Sequence, residues 1–275
     1  MSSVRVRRAF GRHAAEYDRH AAVQRRLADE LDAALTGTRP RQILELGCGT
    51  GYLTRRLRAR FPRAELTAID LSARMLERAR AACPGPVRWL LGDAEAVAWE
   101  PARYDLIVSS ATVQWFARPA ATTAALAAAL TPGGCAAHAT FGPSTFWELW
   151  QAFAEAELAR GAVGSGPRGP HLPGASELET ALRARGLEVE ARTRVLHVGY
   201  PDCRAFLAAV KATGAAQPRR AAEPGLLRDA MRRYDRSYRF GAGVRASYEL
   251  VQVVGRSAAA GSAQGTEAVA ATTSS

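Results

Sequence analysis

The 275-residue chain is 48% apolar, a length and composition that allow one elaborated domain with a substantial core and no transmembrane span, since no apolar run approaches the roughly 20 residues a bilayer requires. Its four cysteines, Cys48, Cys83, Cys135 and Cys203, form no CxxC or Cys/His cluster, which argues against a zinc site or a disulfide framework and for reduced thiols in a cytoplasm. A net charge of +11 comes almost wholly from arginine, Lys211 being the single lysine, and favours acidic partners without defining a site.

The basic N-terminus, MSSVRVRRAFGRH, has the composition of a transit peptide but no apolar h-region, and it runs into Glu16 and Asp18, so a cytoplasmic location is expected. Residues 1–40 are expected to form a helical lid. An alternation of strand and helix signals then begins. QILEL reads as a strand, a glycine loop follows, and YLTRRLRAR reads as a helix stopped by Pro62. AELTAID is the second strand. LSARMLERARAAC is the next helix, with Ser72 as N-cap and Met75, Leu76 and Ala79 on one face. VRWLLGD and YDLIVSS are strands three and four, PAATTAALAAAL is a helix ended by a TPGG turn, and CAAHATF is the fifth strand.

Strands separated by helices specify an α/β fold with a doubly wound, mostly parallel, Rossmann-like sheet over residues 41–142. Residues 143–241 read as substrate-side helices, a loop and a sixth strand. In this part Thr145 and Glu148 have capping-box spacing, and Phe146, Leu149, Trp150 and Phe153 share a stripe. Gly and Pro crowd residues 161–174, which suggests a mobile loop. LEVEARTRVLHVGY and ASYELVQVV read as further strands, the latter inside a closing strand over 242–256, with helical material between Pro201 and Tyr238. Residues 257–275 have little to bury and are expected to be a disordered tail.

The loop after the first strand carries Gly47, Gly49 and Gly51 as GxGxG, with Tyr52 where a dinucleotide fingerprint would place its third glycine. No GK[ST] follows, which removes a triphosphate P-loop. Asp70 ends the second strand, where a carboxylate can accept from both hydroxyls of a ribose, and Asp93 ends the third, placed to accept from an adenine amino group. Either aspartate alone is more often a strand-end cap. Three such signals at successive strand ends describe an adenosine without a phosphate requirement, and S-adenosylmethionine fits it.

ELGCGTG, AIDLS and GDAE resemble the binding motifs of class I S-adenosylmethionine-dependent methyltransferases. A narrower resemblance, from about Phe10 to Arg256, is to the malonyl-acyl carrier protein O-methyltransferases. It is carried by AFGRHAAEYDRHAAVQRRLADEL, SSATVQWF, TFGPSTFWELWQAF, AVKATGA and ASYELVQVVGR. The resemblance implies a cofactor set of Glu45, Gly47, Cys48, Gly49, Gly51, Asp70, Leu71, Asp93 and Ala94, with Tyr17 and Gln24 from the N-terminal segment and Phe10 nearby. It also implies methylation of the free carboxylate of a malonyl thioester, in biotin synthesis, with no metal.

A carboxylate with a reference pKa of about 4 is already ionised, so no general base is needed. Anion and cation become neutral ester and thioether, and an apolar, water-free enclosure favours that loss of charge. Gln114 is expected to orient either the cofactor's carboxyl end or the malonyl carboxylate, Trp115 to pack the cofactor, and Tyr17 to close a lid. Helix-to-sheet packing is the competing role for Trp115 and Phe116. His138 is expected in the core.

The implied partner is an acidic acyl carrier protein, with malonyl-coenzyme A as the alternative thioester and neither nucleic acid nor membrane as partner. Arg183, Arg185, Arg219, Arg220, Arg232 and Arg233 are candidate docking residues. Competing readings are a methyltransferase for a small free acid of the trans-aconitate type, one for RNA or basic protein, and a non-catalytic S-adenosylmethionine-binding protein.

Overall fold

In the computed structural model, which describes residues 3–162, 168–216 and 220–259, the strand signals assemble into one eight-stranded sheet. Three helices precede it: α1 (Ser3–His13), α2 (Tyr17–His20) and α3 (Ala22–Ala34). The nucleotide-type half then runs β1 (Gln42–Leu46), α4 (Tyr52–Arg60), β2 (Glu65–Asp70), α5 (Ala73–Ala82), β3 (Arg88–Leu91) and β4 (Tyr104–Ser110). A 3-10 turn at Val113–Trp115, α6 (Pro119–Ala127) and β5 (Leu130–Phe141) complete the parallel part. The remainder is α7 (Trp147–Leu158), α8 (Ala175–Arg183), β6 (Glu188–Tyr200), α9 (Cys203–Ala212), α10 (Pro224–Ser237), the short β7 (Arg239–Phe240) and β8 (Gly243–Arg256).

The strand order is β3-β2-β1-β4-β5-β8-β6, parallel from β3 to β5, with β8 antiparallel to β5 and β6 and also to the short β7, which lies off this path. Order reverses between β1 and β4, and in an open sheet of this kind that switch point opens a crevice at the carboxyl ends of the strands. Alternation along each strand sends Ile43, Leu106, Val108 and Ala137 toward α3 and α4, and Leu44, Ile107 and Ala136 toward α6 and α8. Of the segment expected as a lid, α3 is a core helix: Leu27, Leu31 and the following Leu35 repeat at helical spacing and are 2%, 0% and 0% exposed. Only α1 and α2 are left to cover the crevice.

Three local expectations differ from the structure. Thr145 and Glu148 do not form a capping box: Phe146, at φ 61°, precedes α7 without a side-chain cap. The Thr145 hydroxyl instead pairs with the backbone of Glu249, and Glu148 accepts from the N–H and hydroxyl of Ser247. The two side chains join the helix start to β8 rather than closing the helix's own first turn. TPGG lies within β5 as a bulge, the register against β4 slipping between Tyr104/Leu130 and Leu106/Cys135. Helix α8 was not expected. Its apolar stripe has few members, but Leu178 and Leu182 are both 0% exposed against the α6 side of the sheet.

The end of the Gly/Pro-rich segment is held in place: Arg168 is 9% exposed and donates to Glu157 and to the carbonyls of Arg220 and Ala221. Residues 163–167, which fall in the expected mobile loop, and residues 260–275 of the expected tail lie outside the described residues.

Candidate active site

The carboxyl ends of β1, β2, β3 and β4 meet under α1 and α2 and line a cleft. Backbone geometry sets its floor. At Gly47, φ is 65° and a Cβ would stand 2.2 Å from the Thr112 hydroxyl, so the glycine allows the β4 loop to cross the β1 loop. At Gly51, with φ 83°, a Cβ would stand 3.0 Å from Ala79 Cα, so this glycine serves the contact of the loop with α5. Gly49 faces the cleft and gives its N–H to Asp70 Oδ2 at 2.9 Å.

The second Asp70 oxygen accepts from Ser72 N–H at 2.8 Å. Each oxygen keeps an acceptor position beyond its backbone bond, the capacity a vicinal diol would use. Burial raises the Asp70 pKa to about 6, against the counter-pull of those two N–H groups. Asp93 lines the cleft, one of its oxygens accepting from Glu95 N–H at 3.0 Å, and Leu71 and Ala94 lie beside it. Glu95 in turn holds the segment after β4, accepting from Ala117 N–H, Arg118 N–H and the Thr122 hydroxyl. The strand-end carboxylates and open glycine loop fit an adenosyl cation.

The cover that α1 and α2 form over the cleft is aromatic and tied to the glycine loop. Phe10 stands 6.2 Å from Tyr17 and 5.4 Å from Trp115 in ring-centroid distance, so a row of rings bridges α1, α2 and the turn after β4. Asp18 accepts from the Thr50 hydroxyl at 2.6 Å and ties α2 to the glycine loop. Burial, and then the nearby Asp70 and Asp18 carboxylates, raise the Tyr17 pKa, so its phenol stays neutral.

Trp115 is shared by two spaces. Beyond it opens a chamber of about 360 Å³, within the range of small-molecule sites, walled by Phe141, Phe146, Leu149, Trp150, Phe206 and Leu207. Gln114, 4% exposed, borders the chamber with its amide fixed at both ends: Nε2 donates to Ala111 O at 2.9 Å and Oε1 accepts from the Thr140 hydroxyl at 2.5 Å. One amide N–H remains for a ligand.

Residues 43–134 match the family described as Methyltransferase domain. A malonyl-[acyl-carrier protein] O-methyltransferase of Brevibacillus brevis is 36% identical over 89% of this chain and 92% of its own length. The enzyme of that name from Dechloromonas aromatica is 37% identical over 78% of each chain. The chain belongs to the malonyl-acyl carrier protein O-methyltransferase family. A biotin biosynthesis bifunctional protein of Bordetella avium is 37% identical over 84% of this chain and 49% of its own length. Two solved structures share the fold at low identity. The YcgJ protein of Bacillus subtilis has a TM-score of 0.60 at 12% identity, covering 85% of this chain and 98% of its own. The Haemonchus contortus phosphoethanolamine N-methyltransferase 2 in complex with S-adenosyl-L-methionine has a TM-score of 0.53 at 17% identity, covering 84% of this chain and 52% of its own.

This methyltransferase brings most of its expected cofactor residues to one cleft: Tyr17, Gly47, Gly49, Asp70, Leu71, Asp93, Ala94 and Trp115 all line it. Gln24 does not join them; it sits on α3 and borders the chamber instead. Glu45, at the end of β1, and Cys48, within the loop, are buried and do not line the cleft, and burial lifts the Glu45 carboxyl to about 8 and the Cys48 thiol well above its ordinary value. His138 is 1% exposed in the core, held down to about 4 by burial. Sequence reasoning missed the Thr50–Asp18 latch, Glu95, Thr140 and the tyrosines of the chamber. GDAE contained Glu95 in plain view; the others have no local signal.

Proposed function

We propose that the chain transfers a methyl group to the free carboxylate of a malonyl thioester carried by an acyl carrier protein, as a step of biotin synthesis. The observation that carries this reading is the division of space at Trp115: a cleft rimmed by carboxylates on one side and an aromatic chamber on the other. S-adenosylmethionine, when bound, supplies a sulfonium methyl to the carboxylate oxygen.

The chain's own residues perform the rest. Asp70 and Asp93 hold the adenosine, and Gly49 leaves the loop open to the amino-acid end. Tyr17, Phe10 and Trp115 keep water out, with α2 held down by the Asp18–Thr50 bond. Gln114, immobilised by Ala111 and Thr140, turns one neutral N–H toward the carboxylate and so orients it without neutralising it. A free arginine there would bind the anion more tightly and blunt its attack. Arg168 and Arg220 both pair with Glu157 at the border of the chamber, and Arg168 is further anchored to the carbonyls of Arg220 and Ala221 rather than free to clamp the carboxylate.

The basic surface supports an acidic carrier on the chamber's side of the sheet. Arg220 borders the chamber, and α10 carries Arg232 and Arg233 together with Arg228 and Arg236. Arg183 and Arg185, expected as docking residues, belong to α8 and its end, which pack on the opposite face, so they are no longer part of the proposed surface. Arg219 lies outside the described residues. An apolar chamber suits an acyl group better than a nucleotide strand, and buried, unpaired cysteines suit a reducing cytoplasm.

The test is mass spectrometry after incubation with S-adenosylmethionine and malonyl carrier protein, malonyl-coenzyme A or a small tricarboxylic acid. One added methylene on the malonyl group, fastest with the carrier, is expected. Faster turnover of the small free acid would overturn the assignment.

A further inference from the structure

The chamber wall holds a polar feature that the methyl-transfer chemistry leaves unused. Tyr200, at the end of β6, and Tyr248, on β8, both border it, and their phenol oxygens are 2.9 Å apart. In the β6–β8 ladder Tyr248 lies opposite Leu196 and Tyr200 opposite Val244, and strand alternation puts both on one face. The small Ala246 lies between them and lets the two side chains lean together.

Two phenols carry two protons. One makes the bond between them; whichever oxygen donates, the other hydroxyl keeps a proton that meets no acceptor among the described residues. Burial raises both pKa values, so both groups are neutral donors. Neighbouring polar aromatics are satisfied by the protein itself. Tyr234 donates to Arg245 O at 2.5 Å, and Trp150 Nε1 donates to Thr145 O at 3.2 Å. Once an acyl group displaces water from this wall of phenylalanine and leucine, a spare donor is costly unless a ligand acceptor meets it.

We infer that the Tyr200–Tyr248 pair is a substrate-recognition device whose spare O–H receives the thioester carbonyl oxygen of the acyl group, selecting carboxylates attached through a thioester. This rests on the reading above that the acceptor is a malonyl thioester. Of that group's two acceptors, the carboxylate must stay electron-rich to react, whereas the carbonyl loses nothing by accepting a hydrogen bond. Position agrees. Gln114, Phe141, Tyr200 and Tyr248 all border the same chamber, and the Phe141 ring stands 5.8 Å from the Tyr248 ring, so the pair and the amide face one acceptor space.

The test compares two carrier-linked acceptors that differ only at this carbonyl: malonyl thioester and the equally long carboxyethyl thioether, in which a CH₂ replaces the C=O. Wild-type enzyme is expected to favour the thioester in kcat/KM by about 3- to 10-fold, the worth of one net hydrogen bond. Tyr200→Phe with Tyr248→Phe should reduce that preference to less than twofold, mainly through KM, with S-adenosylmethionine affinity unchanged. The single Tyr200→Phe, at the more open position, gives a second reading should the double variant fold poorly, and is expected to lower the preference partway. A preference that survives in the variants, or no preference in the wild type, overturns the role of the pair while methylation of the malonyl group still stands. A wild type inert toward both overturns the acceptor assignment and this inference with it.

Discussion

The proposed cofactor cleft and acceptor chamber touch at Trp115 and both carry aromatic rings, but they differ in where their charges sit. The cleft is rimmed by Asp70, Asp93 and Glu95 and floored by backbone N–H groups. The chamber is walled mainly by aromatic and aliphatic side chains, with Gln114, a tyrosine pair, and Arg168 and Arg220 sharing Glu157 among its polar groups. The difference follows from the reaction. A cation is stabilised by fixed carboxylates, while an anion that must lose its charge reacts faster where nothing rewards the charge. Placing both in one continuous polar pocket would favour the reactants over the transition state.

If the two spaces divide labour in this way, damage to each should read out differently. Asp70→Ala removes the carboxylate that faces the cleft and is expected to weaken S-adenosylmethionine binding by about 10- to 100-fold in calorimetry, the range for hydrogen bonds to a charged group. Gln114→Ala should lower kcat by about tenfold and leave cofactor affinity within twofold of wild type. Equal loss of affinity in both variants would mean that the two spaces are one site.

The pH dependence sharpens the same comparison. Because the buried Asp70 carboxyl titrates near 6 in the unliganded protein, it is increasingly protonated below that value. Cofactor affinity should therefore be constant above pH 7 and fall by about tenfold toward pH 5, with proton release on binding through that window. Asp70→Asn should abolish the slope. The raised pKa also means that the unliganded fold loses stability as pH climbs from about 4, where the carboxyl ionises in the unfolded chain, to about 6, where it ionises in the folded one. The smallest effect is expected at the lid. Thr50→Val removes the 2.6 Å bond to Asp18 and should weaken cofactor binding by about three- to fivefold, with kcat less affected.

The cleft was largely legible in the sequence because its residues lie within a few positions of strand ends. A strand end can be located from periodicity, and the loop that follows it has one place to go. The chamber was not. His20, Gln114, Phe146, Tyr200 and Tyr248 are spread over most of the chain, and they share a surface through the ladder of β6 on β8 and the docking of α7 and α9. The capping-box spacing at Thr145 and Glu148 misled for the same reason: both side chains had local partners available and took distant ones on β8. Arg183 seemed close to the substrate elements in sequence, yet the sheet separates it from them.

Local patterns in the chain were enough to establish the alternating fold, the glycine loop after β1, the aspartate that ends β2 and the one just beyond β3, and membership of a methyltransferase family. Packing decided the rest: that α3 is core while α1 and α2 cover the cleft, that Gln114 is pinned by Thr140, and that two tyrosines meet in an apolar wall. Backbone propensity and periodicity act over a few residues and are written where they act, whereas a cavity is defined by side chains that only the folded sheet brings within reach of each other.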